Sequence, residues 1–266
     1  MKIYISADIE GVTGVDHWDE ATKGRPGYEE SVRQFSAEVN AACEGAIEAG
    51  AVEIVLQDAH DSARNLLLER LPEAVKVIRG WSDHPRCMAQ ELDESFSALV
   101  LVGAHSASGS AGNPLAHTFS LENASVRING ELASETRVLQ YTAAYYGVPL
   151  VFLSGDRLVC EDALHINPGL TVVAVKEGIG NSVLSLHPAF SVKRIREGVA
   201  AALSAGIRKC RVSLPALFRV EIAYRHAGRA YKTGFYPGMS RKDDFTLVFE
   251  TEDFFEVLRM FLFAGY

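Results

Sequence analysis

The chain has few cysteines and no run of basic residues, and these absences narrow what it can be. Its four cysteines lie far apart and form no C-x-x-C pair, which argues against a disulfide framework or a zinc ribbon and is typical of buried thiols in a reducing compartment. The formal net charge is -8 at pH 7. Nucleic acids and anionic membranes are therefore not expected as partners, because both need a basic surface.

The sequence also lacks a signal peptide and an apolar segment long enough to span a membrane. Asp8 and Glu10 stand where a signal peptide needs its apolar stretch, and no apolar run approaches the length of a membrane span. With 266 residues and 48% hydrophobic content, the chain can bury a full core. These features predict a soluble cytoplasmic enzyme.

Strand and helix patterns alternate over about the first two hundred residues. Short apolar runs, typical of buried strands, occur at residues 2–7, 53–57, 75–78, 98–102, 149–154 and 170–176. After Arg211 the pattern changes to half-exposed strands and an apolar final helix. We predict an α/β fold: a mostly parallel sheet flanked by helices, a Rossmann-like core over residues 1–210, and a smaller C-terminal α+β lobe over residues 211–266.

Metal-ligand side chains follow three of the predicted strands. Asp8 and Glu10 follow the first, His60 follows the second, and His105 follows the strand at 98–102. Ligands bind at the carboxyl ends of strands in open α/β sheets, where neighbouring strands are roughly 5 Å apart. Carboxylates and imidazoles suit zinc, and also manganese, cobalt or iron, and a bridging carboxylate would hold a metal pair. Glu135, at the start of a predicted helix, is a further candidate ligand.

Each of these residues also has an ordinary structural explanation. A single histidine at a strand end is usually a loop residue, Glu10 alone could be a solvated carboxylate, and Glu135 stands where the helix dipole favours an acid. Their joint placement at the ends of separate buried strands favours the metal site.

Beyond this spacing, a longer string of residues carries a resemblance to a known family. The segment from Ser6 to Gly14, SADIEGVTG, is similar to the S-x-D-x-E-G-[IV]-[ST]-G opening of the D-aminopeptidases of peptidase family M55, the DppA type. Further matching elements follow in order: Asp58-Ala59-His60, Gly103-Ala104-His105, Ala116-His117, Asn129-Gly130 with Glu135, and Tyr145-Tyr146-Gly147-Val148-Pro149. The similarity covers nearly the whole chain.

This resemblance implies a dinuclear zinc aminopeptidase acting on short peptides that contain D-amino acids, of the D-Ala-D-Ala type. It assigns the metal ligands to Asp8, Glu10, His60, His105 and Glu135, with Asp8 as the bridge. Two zinc ions are expected per subunit, with Mn²⁺ or Co²⁺ as substitutes. It also implies a catalytic histidine at His117 and a ring-like homo-oligomer, for which a decamer is one expected size.

The sequence leaves the role of His117 and several further residues open. His117 could transfer a proton to the leaving amine or attack the carbonyl as a nucleophile. Asp58, Asp156 and Lys176 are weaker candidates for contacts behind the ligands or to substrate, with a turn acid and an exposed lysine as the ordinary alternatives. The Gly- and Ser-rich stretch 106–112 is expected to be a flexible wall of the pocket.

Two other functions compete with the aminopeptidase. One is a different binuclear hydrolase, such as an amidase for non-peptide amides or a phosphoesterase; the sequence lacks the G-N-H-[DE] element that phosphoesterases need. The other is a non-catalytic protein that uses metal for assembly, which would have no use for His117.

Overall fold

The computed structural model describes residues 1–265, and these form twelve strands and seven α-helices. The strands are β1 (Lys2–Ala7), β2 (Glu53–Asp58), β3 (Val75–Ile78), β4 (Ala98–Ala104), β5 (Asn123–Ile128), β6 (Glu131–Leu132), β7 (Leu150–Asp156), β8 (Thr171–Ile179), β9 (Ser182–Ser185), β10 (Phe218–Tyr224), β11 (Met239–Arg241) and β12 (Thr246–Thr251). The α-helices are α1 (Trp18–Ala21), α2 (Tyr28–Glu48), α3 (Glu135–Tyr145), α4 (Arg157–Ile166), α5 (Pro188–Ser204), α6 (Ala227–Thr233) and α7 (Phe254–Met260).

Seven of the strands form one sheet in the order β3-β2-β1-β4-β7-β8-β9. All neighbouring strands are parallel except β9, which runs antiparallel to β8 at the edge. This confirms the predicted α/β fold with a mostly parallel sheet. The three strands that end in ligand-type residues, β2, β1 and β4, lie side by side in its centre.

Helices cover both faces of this sheet, as the alternation along β1 requires. Ile3 and Ile5 point to one face and pack in a core with α2 and α5. Tyr4 points to the other face, into a core that includes residues of α3 and α4. Because both faces are buried, the central strands β1, β4 and β7 consist mostly of apolar residues, which is the pattern that made them predictable.

A second, antiparallel sheet has the order β11-β12-β10-β5-β6. Its core includes β10, β12 and α7, and Val138 and Tyr141 of α3 pack into it. The hairpin between β5 and β6 turns at Asn129 and Gly130, whose φ angles of 53° and 89° are typical of a tight Asn-Gly turn. The domain boundary at residue 211 remains a prediction; the second sheet also takes β5 and β6 from within residues 1–210.

Several element boundaries differ from the sequence-based expectations. Between β2 and β3 the only helical residues are a 3₁₀ turn at Leu68–Arg70, and the predicted final helix passes from α7 into a π-helical segment at Phe261–Gly265. Helix α4 was not predicted, although its buried residues Val159, Cys160 and Ala163 follow helical spacing. Within residues 1–265, no helix has both the length and the apolarity needed to cross a bilayer.

Candidate metal centre

Strand register brings the candidate ligands together at the carboxyl edge of the main sheet. Ala7 of β1 pairs with Asp58 of β2 on one side and with Val102 of β4 on the other. Asp8 continues this alignment, because its backbone N–H donates to the carbonyl of Val102 at 2.9 Å. The residues that follow the three strands are therefore held within reach of one another.

Two glycines allow the loop after β1 to lie against the end of β4. The N–H of Gly11 donates to the carbonyl of Gly103 at 2.8 Å. A Cβ at Gly11 would lie 1.9 Å from the carbonyl oxygen of Ala104, and a Cβ at Gly103 would lie 2.0 Å from that of Asp8. Side chains at either position would push Asp8 and Glu10 away from His105.

The five candidate ligands form one buried cluster in which Asp8 is central. On one side, His60 Nδ1 lies 3.3 Å from Asp8 Oδ1 and 2.9 Å from Glu10 Oε2. On the other side, His105 Nε2 lies 3.4 Å from Asp8 Oδ2 and 3.2 Å from Glu135 Oε2. The two oxygens of Asp8 thus face different histidines, which is the arrangement expected of a carboxylate that bridges two cations.

Backbone carbonyls fix which ring nitrogen of each histidine faces the cluster. His60 Nε2 lies 2.6 Å from the carbonyl of Ala21, and His105 Nδ1 lies 3.0 Å from that of Ser106. A carbonyl only accepts, so these ring nitrogens carry the protons when the rings are neutral. The other nitrogens, His60 Nδ1 and His105 Nε2, then present lone pairs to the cluster, as metal-bound histidines do.

The cluster fits divalent cations. Among the described residues, the buried atoms Glu10 Oε2 and His105 Nε2 have no hydrogen-bond partner, although an imidazole nitrogen lies 2.9 Å from the first and a carboxylate oxygen lies 3.4 Å from the second. Ligand atoms of Asp8, Glu10 and His105 lie within 4.8 Å of one another, as do those of His105, His117 and Glu135. Three carboxylates in a buried site need positive charge beside them, and the donor set of oxygen and imidazole nitrogen suits zinc.

The carboxylates also control protonation in this cluster. Burial lowers the pKa of His60, but the nearby carboxylates of Glu10 and Asp8 outweigh it and raise that pKa well above its usual value. For His105, burial is likewise outweighed by Glu135 and Asp8. Burial raises the pKa of Asp8, but hydrogen bonds with His105, His60 and Glu10 lower it by more than burial raises it, so that the net shift of this pKa is downward. The site therefore attracts positive charge strongly.

The start of helix α3 and a strained residue orient Glu135. Ser134 caps α3, with its side chain accepting from the N–H of Arg137. The N–H of Phe119 donates to Glu135 Oε1 at 2.6 Å, and Phe119 has a φ of 61°, which is unusual for a bulky residue. This contact engages one oxygen of Glu135 and leaves Oε2 facing His105.

His117 lies beside the cluster, half-buried in the wall of a cavity. Its ring stacks on that of His105 with centroids 4.3 Å apart, and it packs edge-to-face with the ring of Trp18, whose centroid lies 5.4 Å away. His117 Nδ1 lies 2.9 Å from the carbonyl of Leu115, and Nε2 lies 3.7 Å from Glu135 Oε1. The cavity has a volume of about 550 Å³, and Asp8, Glu10, His60, His117 and Glu135 all line it. A ligand in this cavity would thus meet the cluster and His117 together.

Comparison with known proteins decides the family. The model of the peptidase M55 family, described as D-aminopeptidase, matches residues 1–263. The chain belongs to peptidase family M55. It is 27% identical over 264 residues to a D-aminopeptidase of Bacillus subtilis (strain 168), covering 98% of this chain and 96% of that relative. The resemblance found in the sequence is confirmed, and so is the prediction that the protein is a peptidase, a hydrolase.

A solved structure agrees with this assignment. The chain is similar to the zinc-dependent D-aminopeptidase DppA from Bacillus subtilis, described as a self-compartmentalizing protease, with a TM-score of 0.91 and 27% identity. The match covers 100% of this chain and 97% of that one. The two-sheet architecture described above is therefore that of an M55 peptidase.

In this M55 chain, Asp58 holds the loop that carries His60. The Asp58 carboxylate accepts from the N–H groups of Asn65 and Leu66 at 2.5 and 2.9 Å and from the side chain of Asn65 at 2.9 Å. Asn65 in turn donates to the carbonyl of His60 at 2.7 Å. The carboxylate thus touches no side chain of a candidate ligand, but it fixes the backbone that carries His60, which is one of them.

Replacing Asp58 by alanine is expected to lower the free energy of unfolding by about 3 kcal/mol, because several buried donors lose a charged acceptor. Zinc affinity is expected to fall about tenfold, since His60 loses its support. Thermal denaturation and zinc titration against a competing chelator measure the two effects. Asp244→Ala, on an exposed turn, is the matched control. Unchanged zinc affinity in Asp58→Ala would contradict this role.

Asp156 and Lys176 lie behind the cluster and do not line the cavity. Asp156 caps α4 and accepts from the N–H and hydroxyl of Ser106. Lys176 is 3% exposed, so the alternative of an exposed lysine is wrong. Its ammonium donates to the carbonyls of Glu10 and Val15, both at 2.5 Å, and burial lowers its pKa to about 8 against the raising effect of nearby carboxylates.

The sequence analysis did not identify several residues that line the cavity, and it placed one stretch there that does not line it. Both tryptophans of the chain, Trp18 and Trp81, line the cavity, and so does His84; none of the three is among the candidate residues selected from the sequence. A usable signal was the position of Trp18 in the loop after β1, at the edge where ligands bind. By contrast, residues 106–112 do not line the cavity, and Ser106 and Ser108 are buried. This stretch is therefore not the expected flexible wall.

Proposed function

We propose that this M55 peptidase is a zinc-dependent aminopeptidase that removes the N-terminal residue from short peptides containing D-amino acids, of the D-Ala-D-Ala type. The observation that carries the proposal is the buried cluster of carboxylates and imidazoles that opens, beside His117, into a cavity. The name of the similar solved structure, a zinc-dependent D-aminopeptidase, supports the choice of metal and of substrate stereochemistry.

In this proposal the cluster holds two zinc ions per subunit, with Mn²⁺ or Co²⁺ as substitutes. Glu10 and His60 would hold one ion, His105 and Glu135 the other, and Asp8 would contact both. Zinc at such sites polarises a carbonyl and makes water a nucleophile near neutral pH. The protein's own part is to present these ligands from a rigid sheet edge and to keep the donor atoms buried.

His117 is proposed as the catalytic residue, acting on protons at Nε2. The carbonyl of Leu115 holds the proton on Nδ1, so Nε2 of the neutral ring carries a lone pair. This atom can take a proton and return it to the leaving amine, a contribution typically of 10²- to 10⁴-fold in rate. The same lone pair would also serve for direct attack on the carbonyl.

The alternative of a phosphoesterase finds less support. Among the described residues that line the cavity there is no lysine or arginine, so apart from the proposed metal ions no permanently charged group there would bind the phosphate oxygens. A non-catalytic metal site for assembly is also disfavoured, because a structural site has no use for an imidazole in an adjoining cavity.

We further propose that the enzyme works in the cytoplasm as a ring-like homo-oligomer, of which a decamer is one candidate size. The similar solved structure is described as self-compartmentalizing. Large apolar side chains are also exposed on this chain, with Tyr231 60%, Phe263 65% and Phe235 73% exposed, and such surfaces are typical of subunit contacts. Analytical ultracentrifugation of the purified protein would measure the subunit number.

Hydrolysis of matched dipeptides tests the proposed activity. Zinc-loaded protein is expected to cleave D-Ala-D-Ala faster than L-Ala-L-Ala and to leave p-nitrophenyl phosphate intact. Activity should disappear with a chelator and return with zinc or cobalt. Preferential cleavage of the phosphate ester, or no turnover of any peptide by metal-loaded protein, would refute the proposal.

Lys176 is proposed to hold the loop that carries Glu10, through its two carbonyl contacts. Lys176→Met is expected to lower the free energy of unfolding by about 3 kcal/mol, because a buried carbonyl loses its donor. Zinc affinity is expected to fall about tenfold. Denaturation and zinc titration provide the measurements, with Lys193→Met on the exposed side of α5 as the control. A variant that binds zinc as tightly as the parent would exclude a positioning role.

A further inference from the structure

The cavity beside the donor cluster has a large apolar wall. Its volume of about 550 Å³ lies in the range of pockets that hold drug-sized ligands. Six large apolar or aromatic side chains line it: Trp18, Trp81, Met88, Phe119, Leu121 and Leu262. A methyl group, the side chain of alanine, would leave most of this surface in contact with water. Contact with this wall would therefore stabilise a bound peptide with a bulky apolar side chain more than a bound alanyl peptide.

The charges around this wall are negative. Apart from the metal cluster, the carboxyl residues Asp61 and Asp83 line the cavity, and no lysine or arginine of the described residues does. The indole N–H of Trp81 donates to the carbonyl of Asp61 at 2.6 Å, so an aromatic face and a carboxyl residue belong to the same part of the wall. Such a surface favours an apolar side chain next to an ammonium group and disfavours a carboxylate.

We propose that the cavity selects peptides whose N-terminal D-residue has a bulky apolar side chain, such as D-Phe or D-Leu, over D-Ala, and that it rejects D-Glu. The inference rests on the proposed aminopeptidase activity, because only a free N-terminal residue places its ammonium group and its side chain in the cavity together. One methylene group more or less in an apolar pocket typically changes kcat/KM by about 10- to 200-fold. We therefore expect a preference of at least about tenfold for D-Phe over D-Ala.

A series of p-nitroanilides that differ only in the amino acid tests this selection. The zinc-loaded enzyme is given the D-Phe, D-Leu, D-Ala and D-Glu compounds, and kcat/KM is measured for each. D-Phe and D-Leu are expected to exceed D-Ala by about tenfold or more, and D-Glu to fall about tenfold below it. A D-Ala value equal to or above that of D-Phe would overturn the inference while leaving the aminopeptidase intact.

Variants of Trp81 connect the preference to this wall. Trp81→Ala is expected to reduce the ratio of D-Phe to D-Ala by about tenfold, whereas Trp81→Phe should keep it within about threefold. The control is Phe190→Ala, an exposed aromatic residue on α5 that does not line the cavity, for which the ratio should be unchanged. A Trp81→Ala enzyme with the parental ratio would remove the assignment to this wall.

A binding measurement separates this inference from the activity on which it rests. Because the only two tryptophans of the chain line the cavity, their fluorescence should report occupation directly. Zinc-loaded protein is titrated with D-phenylalanine, D-alanine and D-glutamate. Absence of hydrolysis would refute the aminopeptidase, yet tighter binding of D-phenylalanine by about tenfold would still support the selectivity. Equal affinities for the three amino acids would overturn it.

Discussion

Replacing His117 by alanine is expected to lower kcat by about 10²- to 10⁴-fold, the contribution typical of a group that moves protons in the transition state. The zinc content should stay at that of the parent protein. The zinc content should not change because His117 lies at the wall of the cavity, with its Nε2 3.7 Å from Glu135 Oε1. The imidazoles of His60 and His105, in contrast, face Asp8 at 3.3 and 3.4 Å. Steady-state kinetics and elemental analysis of the same preparation measure the two quantities.

The zinc analysis is the decisive part of this experiment, because His117 also lies in a possible ligand triad with His105 and Glu135. If the variant loses one zinc ion together with its activity, His117 is a ligand and the proposed proton transfer is wrong. A variant with near-parental kcat would contradict both roles. His165→Ala serves as the control, since this histidine is exposed on α4 and does not line the cavity.

The convergence of the strand ends was predictable because buried parallel strands have a simple signature. Each of β1, β2 and β4 is an apolar run that stops at a ligand-type residue, and parallel strands end at the same edge. Sequence spacing alone did not give their order in the sheet, but any order with these strands as neighbours brings Asp8, His60 and His105 together. Glu135 was also predictable as a helix start, although its approach to His105 depends on a contact with Phe119.

Features that depend on distant parts of the chain were not predictable in this way. Trp81 follows β3 and Leu262 lies near the C-terminus, and only tertiary packing brings both to one cavity. Lys176 has the sequence character of a surface residue, yet it lies under the loop of Glu10 because carbonyls 160 or more positions away accept its protons. Strands β5 and β6 join a sheet whose other members follow residue 217, a pairing that no local pattern reveals.

The central position of Asp8 leads to the second large expected effect. Asp8→Ala should abolish binding of both proposed zinc ions, because the two oxygens of Asp8 face the two halves of the cluster. Loss of Lewis-acid stabilisation worth several kcal/mol corresponds to a fall in kcat/KM of about 10³-fold or more. Zinc per subunit, measured by native mass spectrometry, gives the direct readout.

Two further variants test whether Asp8 alone contacts both proposed zinc ions. Glu10→Ala should lose only the ion on the His60 side, and Glu135→Ala only the ion on the His105 side, because each carboxylate faces one histidine. The expected zinc contents are therefore none for Asp8→Ala and one for each of the others. If Asp8→Ala retains one ion, Asp8 belongs to a single site and does not bridge. If all three variants lose both ions, the two sites are so strongly coupled that neither fills alone, and the division of the cluster into halves around Asp8 would be wrong.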